Sequence, residues 1–218
     1  MQLNLWESVH DDMQQMIKIC KFPGNSTYID RMYRMYARQQ MAQLNLDMLP
    51  FLQDVIPATI IDKNITGEIF WRAYSESGMI VAKISRIITK ISDGLFNMTL
   101  IPELKLQVED RLTKLKELTE GMPYIQTLVT IDEQQILGML AIQMGDSVGG
   151  LAMLAAASEL ELNNVKDSDS PTLPIVPALE TYASYLAKID PMKSKELIES
   201  SKAHWSHRHP VKFDDAHK

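Results

Sequence analysis

Cysteine is nearly absent from this chain, since Cys20 is the only one in 218 residues. A single thiol cannot form an internal disulfide, which indicates a disulfide-free fold or a reducing compartment. The first residues, Met1 to Ser8, lack the basic stretch and apolar core that mark a secretory signal. We therefore expect a cytoplasmic protein.

A long uninterrupted apolar run is also missing. The longest apolar window, 136–157, is broken at its middle by Gln143, Asp146 and Ser147. A spanning helix needs about 20 predominantly apolar residues, and an aspartate at its centre would cost roughly 2.5–3.5 kcal/mol. Two short buried helices joined at Gly145 explain the window better, so we expect no membrane insertion.

The overall composition is that of a globular protein. Apolar residues make up 45% and charged residues 23% of the chain, so we do not expect the chain to be largely disordered. The formal net charge of -6 argues against a protein whose main surface contacts nucleic acid, although it leaves room for a local basic face.

The strongest pattern in the sequence lies in residues 66–94. Apolar side chains recur there at the three-and-four spacing of one helix face, which predicts a helix roughly 42 Å long. We expect burial of Ile84, Ile87, Ile88 and Ile91. Charged residues fall on the other face, where helices of soluble proteins are usually solvated; they are Arg72, Glu76, Lys83, Arg86 and Lys90.

Helix-breaking and capping residues divide the rest of the chain into helices, of which the first two are predicted from Trp6 to Cys20 and from a cap at Ser26 or Thr27 as far as Pro50. Gly94 predicts the end of the long helix, and Gly121 with Pro123 is expected to end the helix after it. Thr130 and Glu133 match a capping box, which predicts the start of the next apolar helix. We predict an all-α fold of about eight helices around the long central helix, with no significant β-sheet.

Composition also predicts the domain organisation. We expect a main helical domain over 1–162 and a linker over 163–176, where Asn, Asp, Ser and Pro dominate. A helical hairpin over 177–206 would pack on or beside the main domain. Residues 207–218 are expected to form a frayed polar tail.

The stretch Gly145-Asp-Ser-Val-Gly resembles the GDSAGG stretch of hormone-sensitive-lipase-like esterases. The resemblance implies a serine nucleophile at Ser147, on a strand-to-helix turn. These enzymes also have a His-Gly-Gly loop upstream and several strands, whereas this chain has no such loop and its preceding residues read as helix. The favoured interpretation is a helix–helix corner, with Gly145 and Ser147 as caps and Gly149 and Gly150 permitting close helix approach.

Histidines near the end of the chain could suggest a metal site, at positions His204, His207, His209 and His217. A zinc site needs three or four ligands that converge on one ion. No cysteine lies nearby, and Pro210 indicates that the segment is leaving its helix, so a solvated tail is the favoured interpretation. We predict no metal or other cofactor and no catalytic centre.

Two predicted helices carry basic residues at three-and-four spacing. Arginine beside aromatic residues is typical of phosphate and base contacts, so a nucleic-acid-binding or packaging subunit is the alternative function. The alternative interpretation of both stripes is an ordinary solvated helix face. The candidate phosphate-binding residues are Arg31, Arg34, Arg38, Lys83, Arg86 and Lys90.

Methionine is abundant, with 14 in the chain, and several methionines lie in the first two predicted helices. Unbranched, polarisable methionine suits surfaces that adapt to a partner, and one core covers only one stripe of a surface helix. We therefore predict a non-enzymatic protein-interaction module that binds other protein chains or a second copy of itself. An adaptor, a chaperone-like cofactor or a subunit of a larger assembly would each fit. The candidate partner-binding residues are Met13, Met16, Met32, Met35 and Tyr36.

Overall fold

The computed structural model describes residues 66–165 and 176–205. Within these ranges the chain forms six α-helices and a short 3-10 helix at Met98–Leu100, and no described residue lies in a strand, which confirms the all-α prediction. The first two predicted helices lie outside the described residues. The six helices are α1 (Thr66–Ser92), α2 (Ile101–Leu118), α3 (Pro123–Gln143), α4 (Ser147–Asn164), α5 (Ala178–Leu186) and α6 (Pro191–Trp205).

The helix α1 ends as its sequence predicts. Gly94 has a φ of 71°, in the left-handed region that favours glycine. Its N–H donates to the carbonyl of Ile91 at 3.0 Å, and the N–H of Leu95 donates to that of Lys90 at 2.7 Å. These two bonds form a Schellman motif, which satisfies carbonyls that the helix end would otherwise leave open.

The charged face of α1 corrects the sequence-based expectation. Every residue from 76 to 84 is buried, so all sides of this part of the helix are covered. Glu76 and Lys83 are therefore inside the protein, and the expectation that they lie on a solvated face is wrong. Ile84 and Ile87 are buried as predicted, whereas Ile88 and Ile91 are half-buried. Periodicity identifies the most apolar face of a helix, but it does not report whether the opposite face is also covered.

The start of α3 also differs from the prediction. Gly121 and Pro123 follow the end of α2 at Leu118, as predicted, but Pro123 is also the first residue of α3, where its missing N–H costs nothing. Thr130 lies in the middle of this helix and its hydroxyl donates to the carbonyl of Gln126 at 2.8 Å. The predicted capping box is therefore wrong, because a proline-initiated helix already includes both of its residues.

Hydrogen bonds between helices define their directions. The Ser77 hydroxyl on α1 donates to Oδ2 of Asp132 on α3 at 2.6 Å, and the Ser85 hydroxyl donates to Sδ of Met139 at 3.4 Å. Residue numbers rise together along both helices, so α1 and α3 run in the same direction. The helix α2 connects the end of α1 to the start of α3 and returns in the opposite direction.

The last two helices continue this alternation. Thr181 on α5 donates to Oε1 of Gln135 on α3, and Ser158 on α4 donates to the carbonyl of Ala178 at the start of α5. Ser194 and Ser201 on α6 contact α5 in reverse order, so α5 and α6 form an antiparallel hairpin. The helix α4 extends into the predicted linker as far as Asn164, and the proposed domain division stays a prediction.

The corner between α3 and α4 brings two helices unusually close together. A Cβ atom added to Gly138 would lie 2.8 Å from the carbonyl oxygen of Gly150, and one added to Gly150 would lie 2.5 Å from that of Gly138. Gly145 has a φ of 96° and ends α3. Asp146, rather than Ser147, caps α4, since its Oδ1 accepts from the N–H of Gly149 at 2.9 Å.

Candidate interaction surface at one end of the bundle

Three turns of the described chain lie at the same end of the bundle. They follow α1, α3 and α5, which run in the same direction, as the hydrogen bonds between them show. Ser92, Gln143 and Lys188, at or just beyond the ends of these three helices, line one common groove. The turns at 93–100, 144–146 and 187–190 are therefore neighbours in space.

These turns and the helix starts beside them carry a concentration of exposed apolar side chains. Single exposed apolar residues are normal on soluble proteins. Here, however, seven of the eleven large apolar side chains that are most exposed in the described part of the chain fall at one end. Val148 is 83% and Met192 77% exposed. We name this set the apolar end: Leu95, Met98, Leu100, Met144, Val148, Ile189 and Met192.

The charges in these turns are mainly negative. Asp93, Asp146 and Asp190 each lie in one of the three turns, and Lys188 is the cation among the residues of those turns. Asp146 and Asp190 accept hydrogen bonds from the first turns of α4 and α6, at 2.9 and 3.0 Å. The three turns therefore carry more carboxylates than cations, which favours a partner that brings positive charge.

A groove opens beside the apolar end, between α1 and α5 and over α3. Its volume is about 560 Å³, within the range of ligand-binding clefts in proteins. We name it the side groove. Its described lining residues are Ser85, Ile88, Thr89, Ser92, Met139, Gln143, Val176, Glu180, Thr181, Ser184, Tyr185 and Lys188.

Behind the side groove lies a buried polar network that joins three helices. Its members are Ser77 on α1, Asp132 and Gln135 on α3, and Thr181 on α5. The carboxylate of Asp132 accepts from Ser77 at 2.6 Å and from Nε2 of Gln135 at 3.4 Å, and Thr181 donates to Oε1 of Gln135 at 2.8 Å. Satisfied polar groups of this kind fix how buried helices pack against one another.

Burial changes the protonation of this network. The pKa of Asp132 is raised from 3.8 to about 7, and desolvation by burial is the largest cause. The hydrogen bond from Ser77 lowers this pKa, and the nearby carboxylate of Glu161 raises it further. Glu161 lies on α4 and accepts from the N–H of Ala178, at the start of α5. Two acidic groups from adjacent helices thus share one buried region.

The predicted partner-binding and phosphate-binding residues are only partly within the described chain. Lys83 is 3% exposed, and Arg86 and Lys90 are half-buried, so these three do not form an exposed basic stripe on α1. Phosphate binding by the predicted second helix stays a prediction. The residues that lie outside the described ranges are Met13, Met16, Met32, Met35, Tyr36, Arg31, Arg34 and Arg38.

The local structure around Ser147 is a helix–helix corner. A nucleophile elbow requires a strand before its serine, whereas α3 precedes Ser147 and ends two residues before Gly145. Ser147 is the first residue of α4. The corner predicted as the favoured interpretation is confirmed for Gly145 as the helix end and for Gly150 at the close approach to α3. Gly149 instead lies against the side chain of Asp146, and Asp146 replaces Ser147 as the cap.

Sequence reasoning did not find the apolar end. Its residues occupy turns and first helical turns, where periodicity assigns no inward or outward face. The segment Ile189-Asp-Pro-Met192 offered a local signal, since two large apolar residues flank a capping aspartate. The neighbouring turns are separated along the chain by whole helices, so only the direction of those helices brings the three turns together.

Two other features, a metal site and a membrane-spanning helix, are absent from the described residues. Within 66–165 and 176–205, no three His, Cys, Asp or Glu side chains are grouped so that they could hold a metal ion. None of the helices described in those ranges combines the length and apolar character needed to cross a membrane. His204 lies in the last turn of α6, and the other candidate histidines lie outside the described residues.

No known protein family, curated protein sequence or solved structure matches this chain.

Proposed function

We propose that the protein is a helical interaction module that binds a partner protein through its apolar end. The supporting observation is the gathering of seven exposed large apolar side chains on three adjacent turns and on the helix starts beside them. Apolar surface of this kind, rimmed by polar groups, usually marks a contact site on a soluble protein. An adaptor, a chaperone-like cofactor or an assembly subunit remains the proposed class.

A protein partner fits the surface better than an anionic membrane does. The three turns carry Asp93, Asp146 and Asp190 against one lysine, Lys188. Acidic lipid headgroups would be repelled by these carboxylates, since both carry negative charge. Helices that bind membrane surfaces are instead usually rich in Lys and Arg. A protein segment that combines apolar and basic side chains would gain from both features.

Several finer proposals concern the whole chain. We retain a bundle of about eight helices around α1, with a cytoplasmic location. The methionines of the first two predicted helices would then add adaptable surface for the same or another partner chain. None of these proposals is needed for the contact at the apolar end.

The proposal is tested by photo-crosslinking in the native cell. A photoreactive amino acid is placed at Val148, at the apolar end, or at Thr113, an exposed control position on α2. We expect specific protein adducts from position 148 and none of the same adducts from position 113. The crosslinked chains are then identified by mass spectrometry.

Matched leucine variants make this test specific. Leu95 is at the apolar end, whereas Leu162 is an exposed leucine near the end of α4, at the opposite end of the bundle. Leu95→Ser should remove the adducts from position 148, and Leu162→Ser should leave them. Equal effects of the two variants, or recovery of lipid adducts without protein adducts, would contradict the proposal.

A further inference from the structure

The hydroxyl groups on the α1 wall of the side groove already donate hydrogen bonds to other groups of the protein. Thr89 Oγ1 donates to the carbonyl of Ser85 at 3.1 Å, and Ser92 Oγ donates to the carbonyl of Ile88 at 3.1 Å. The Ser85 hydroxyl donates to Sδ of Met139. A hydroxyl has one proton and two lone pairs, so these three groups can offer only acceptors to a ligand.

The α5 wall has the same character. Thr181 Oγ1 donates to Oε1 of Gln135 at 2.8 Å, and Ser184 Oγ donates to the carbonyl of Thr181 at 2.7 Å. Glu180, an exposed residue whose Oε1 also accepts from Ser201 on α6, adds a carboxylate to this wall. The serine and threonine oxygens of both walls can therefore act only as acceptors, and a ligand rich in hydrogen-bond donors matches them.

The charge distribution favours a cationic donor. The groove is bordered by the last turns of α1, α3 and α5, and the C-terminal ends of helices carry partial negative charge. Lys188, the cation among the described lining residues, lies eight residues from Glu180, roughly 12 Å along a helix. That separation exceeds the screening length of about 8 Å at physiological salt, so the charge of Lys188 does not cancel that of Glu180.

Tyr185 supplies an aromatic surface within the groove. Burial raises the pKa of its phenol to about 12, while a hydrogen bond with the Gln143 side chain acts in the opposite direction. The ring therefore stays neutral at physiological pH. A planar cation can stack on such a ring while its edges donate to surrounding oxygens.

We propose that the side groove binds the guanidinium group of an arginine on the partner segment that covers the apolar end. This inference rests on the proposed function, since Ser92, Gln143 and Lys188 join the groove to the three apolar turns. Guanidinium offers five N–H donors in one plane, which suits the acceptor hydroxyls of the two walls and the carboxylate of Glu180. The partner segment is thus apolar and basic, with an arginine beside its apolar contact residues.

The test is a nuclear magnetic resonance titration of the full chain with acetyl-Leu-Arg-Leu-amide. Saturable shifts are expected for the amides of Thr89 and Ser184, on the two walls. A probe with citrulline in place of arginine keeps the shape but loses the charge, and we expect it to bind about tenfold more weakly. Equal binding of the two probes, or the absence of saturable shifts at these amides, would overturn the proposal.

Variants of the groove have matched controls elsewhere on the chain. Glu180→Gln keeps an oxygen that can accept from Ser201 and should weaken the arginine probe about tenfold; Glu159→Gln, at an exposed position on α4, should leave it unchanged. The control for Thr89→Val is Thr113→Val, because Thr113 also donates to the carbonyl four residues before it. We expect about a threefold loss for the first threonine variant and none for the second.

Failure of this inference is distinguishable from failure of the proposed function. If Leu95→Ser removes the crosslinked partner while Glu180→Gln and Thr89→Val retain it in full, the apolar end is an interface and the arginine site is wrong. If Leu95→Ser has no effect, the interface itself is wrong. Loss of the partner in both sets of variants supports the two proposals together.

Discussion

Replacing Asp132 with asparagine should remove a pH dependence that is built into the centre of the bundle. Asp132 is buried, and its pKa is raised from 3.8 to about 7. Between these two pH values the folded protein holds a proton that the unfolded chain has released. Stability therefore falls as pH rises through this window, because the folded state binds more protons than the unfolded state.

The size of the effect follows from the pKa shift. A shift from 3.8 to about 7 corresponds to about 4 kcal/mol, at about 1.4 kcal/mol for each pH unit. This stabilisation is complete below pH 3.8 and is lost by about pH 7 and above. Asparagine has the size and shape of the acid and carries no charge, and its one side-chain oxygen can accept from Ser77 or from Gln135 in Asp132→Asn.

The assay is urea unfolding of the wild type and of Asp132→Asn at pH 5 and at pH 8. The quantity compared is the free energy of unfolding of the variant minus that of the wild type. This difference should be higher at pH 8 than at pH 5, by an amount of the order of 2–3 kcal/mol. Asp110→Asn, on the exposed face of α2, is the control and should show no such change. A difference between wild type and Asp132→Asn that is the same at both pH values would refute the reasoning.

Three further predictions concern packing and capping. Gly138→Ala should destabilise the fold by about 1–3 kcal/mol, since its Cβ would lie 2.8 Å from the carbonyl oxygen of Gly150; thermal melting unchanged from wild type would contradict this close contact. Ile84→Ala should cost about 2–5 kcal/mol in urea unfolding, because Ile84 is fully buried, and a loss below about 0.5 kcal/mol would show that the site can refill. Asp146→Ala should cost about 0.5–2 kcal/mol through the lost cap, whereas Ser147→Ala should change stability less; labelling of Ser147 by a fluorophosphonate probe would instead indicate a reactive serine.

Local patterns in the sequence determined where several helices lie and how they end. The period of residues 66–94 predicted α1, and Gly94 ended it because only a residue without a Cβ adopts that φ freely. Asp190 and Pro191 likewise mark the start of α6, where Asp190 accepts from the N–H of Lys193. These features depend on residues within one or two helical turns, so their physical causes are present in the sequence itself.

Competing local signals were decided by the folded chain. Thr130 with Glu133 can cap a helix that begins there, or lie inside a helix that begins earlier, at Pro123. The structure starts α3 at Pro123 and places Thr130 within that helix. The sequence around these residues permits both arrangements, because each satisfies the local backbone, and packing against neighbouring helices selects between them.

Tertiary structure alone decided the environment of the residues that matter for the proposals. Ser77 and Asp132 are 55 positions apart, and their hydrogen bond exists because α1 and α3 run in the same direction. The same alternation of helix direction collects Leu95, Val148 and Ile189 at one end. No periodicity encodes that meeting, since burial and exposure at a turn depend on which distant helices end beside it. The sequence by itself therefore determined α1, its end at Gly94 and the start of α6, whereas the packing of the helices decided where α3 begins and created the apolar end, the side groove and the buried carboxylate.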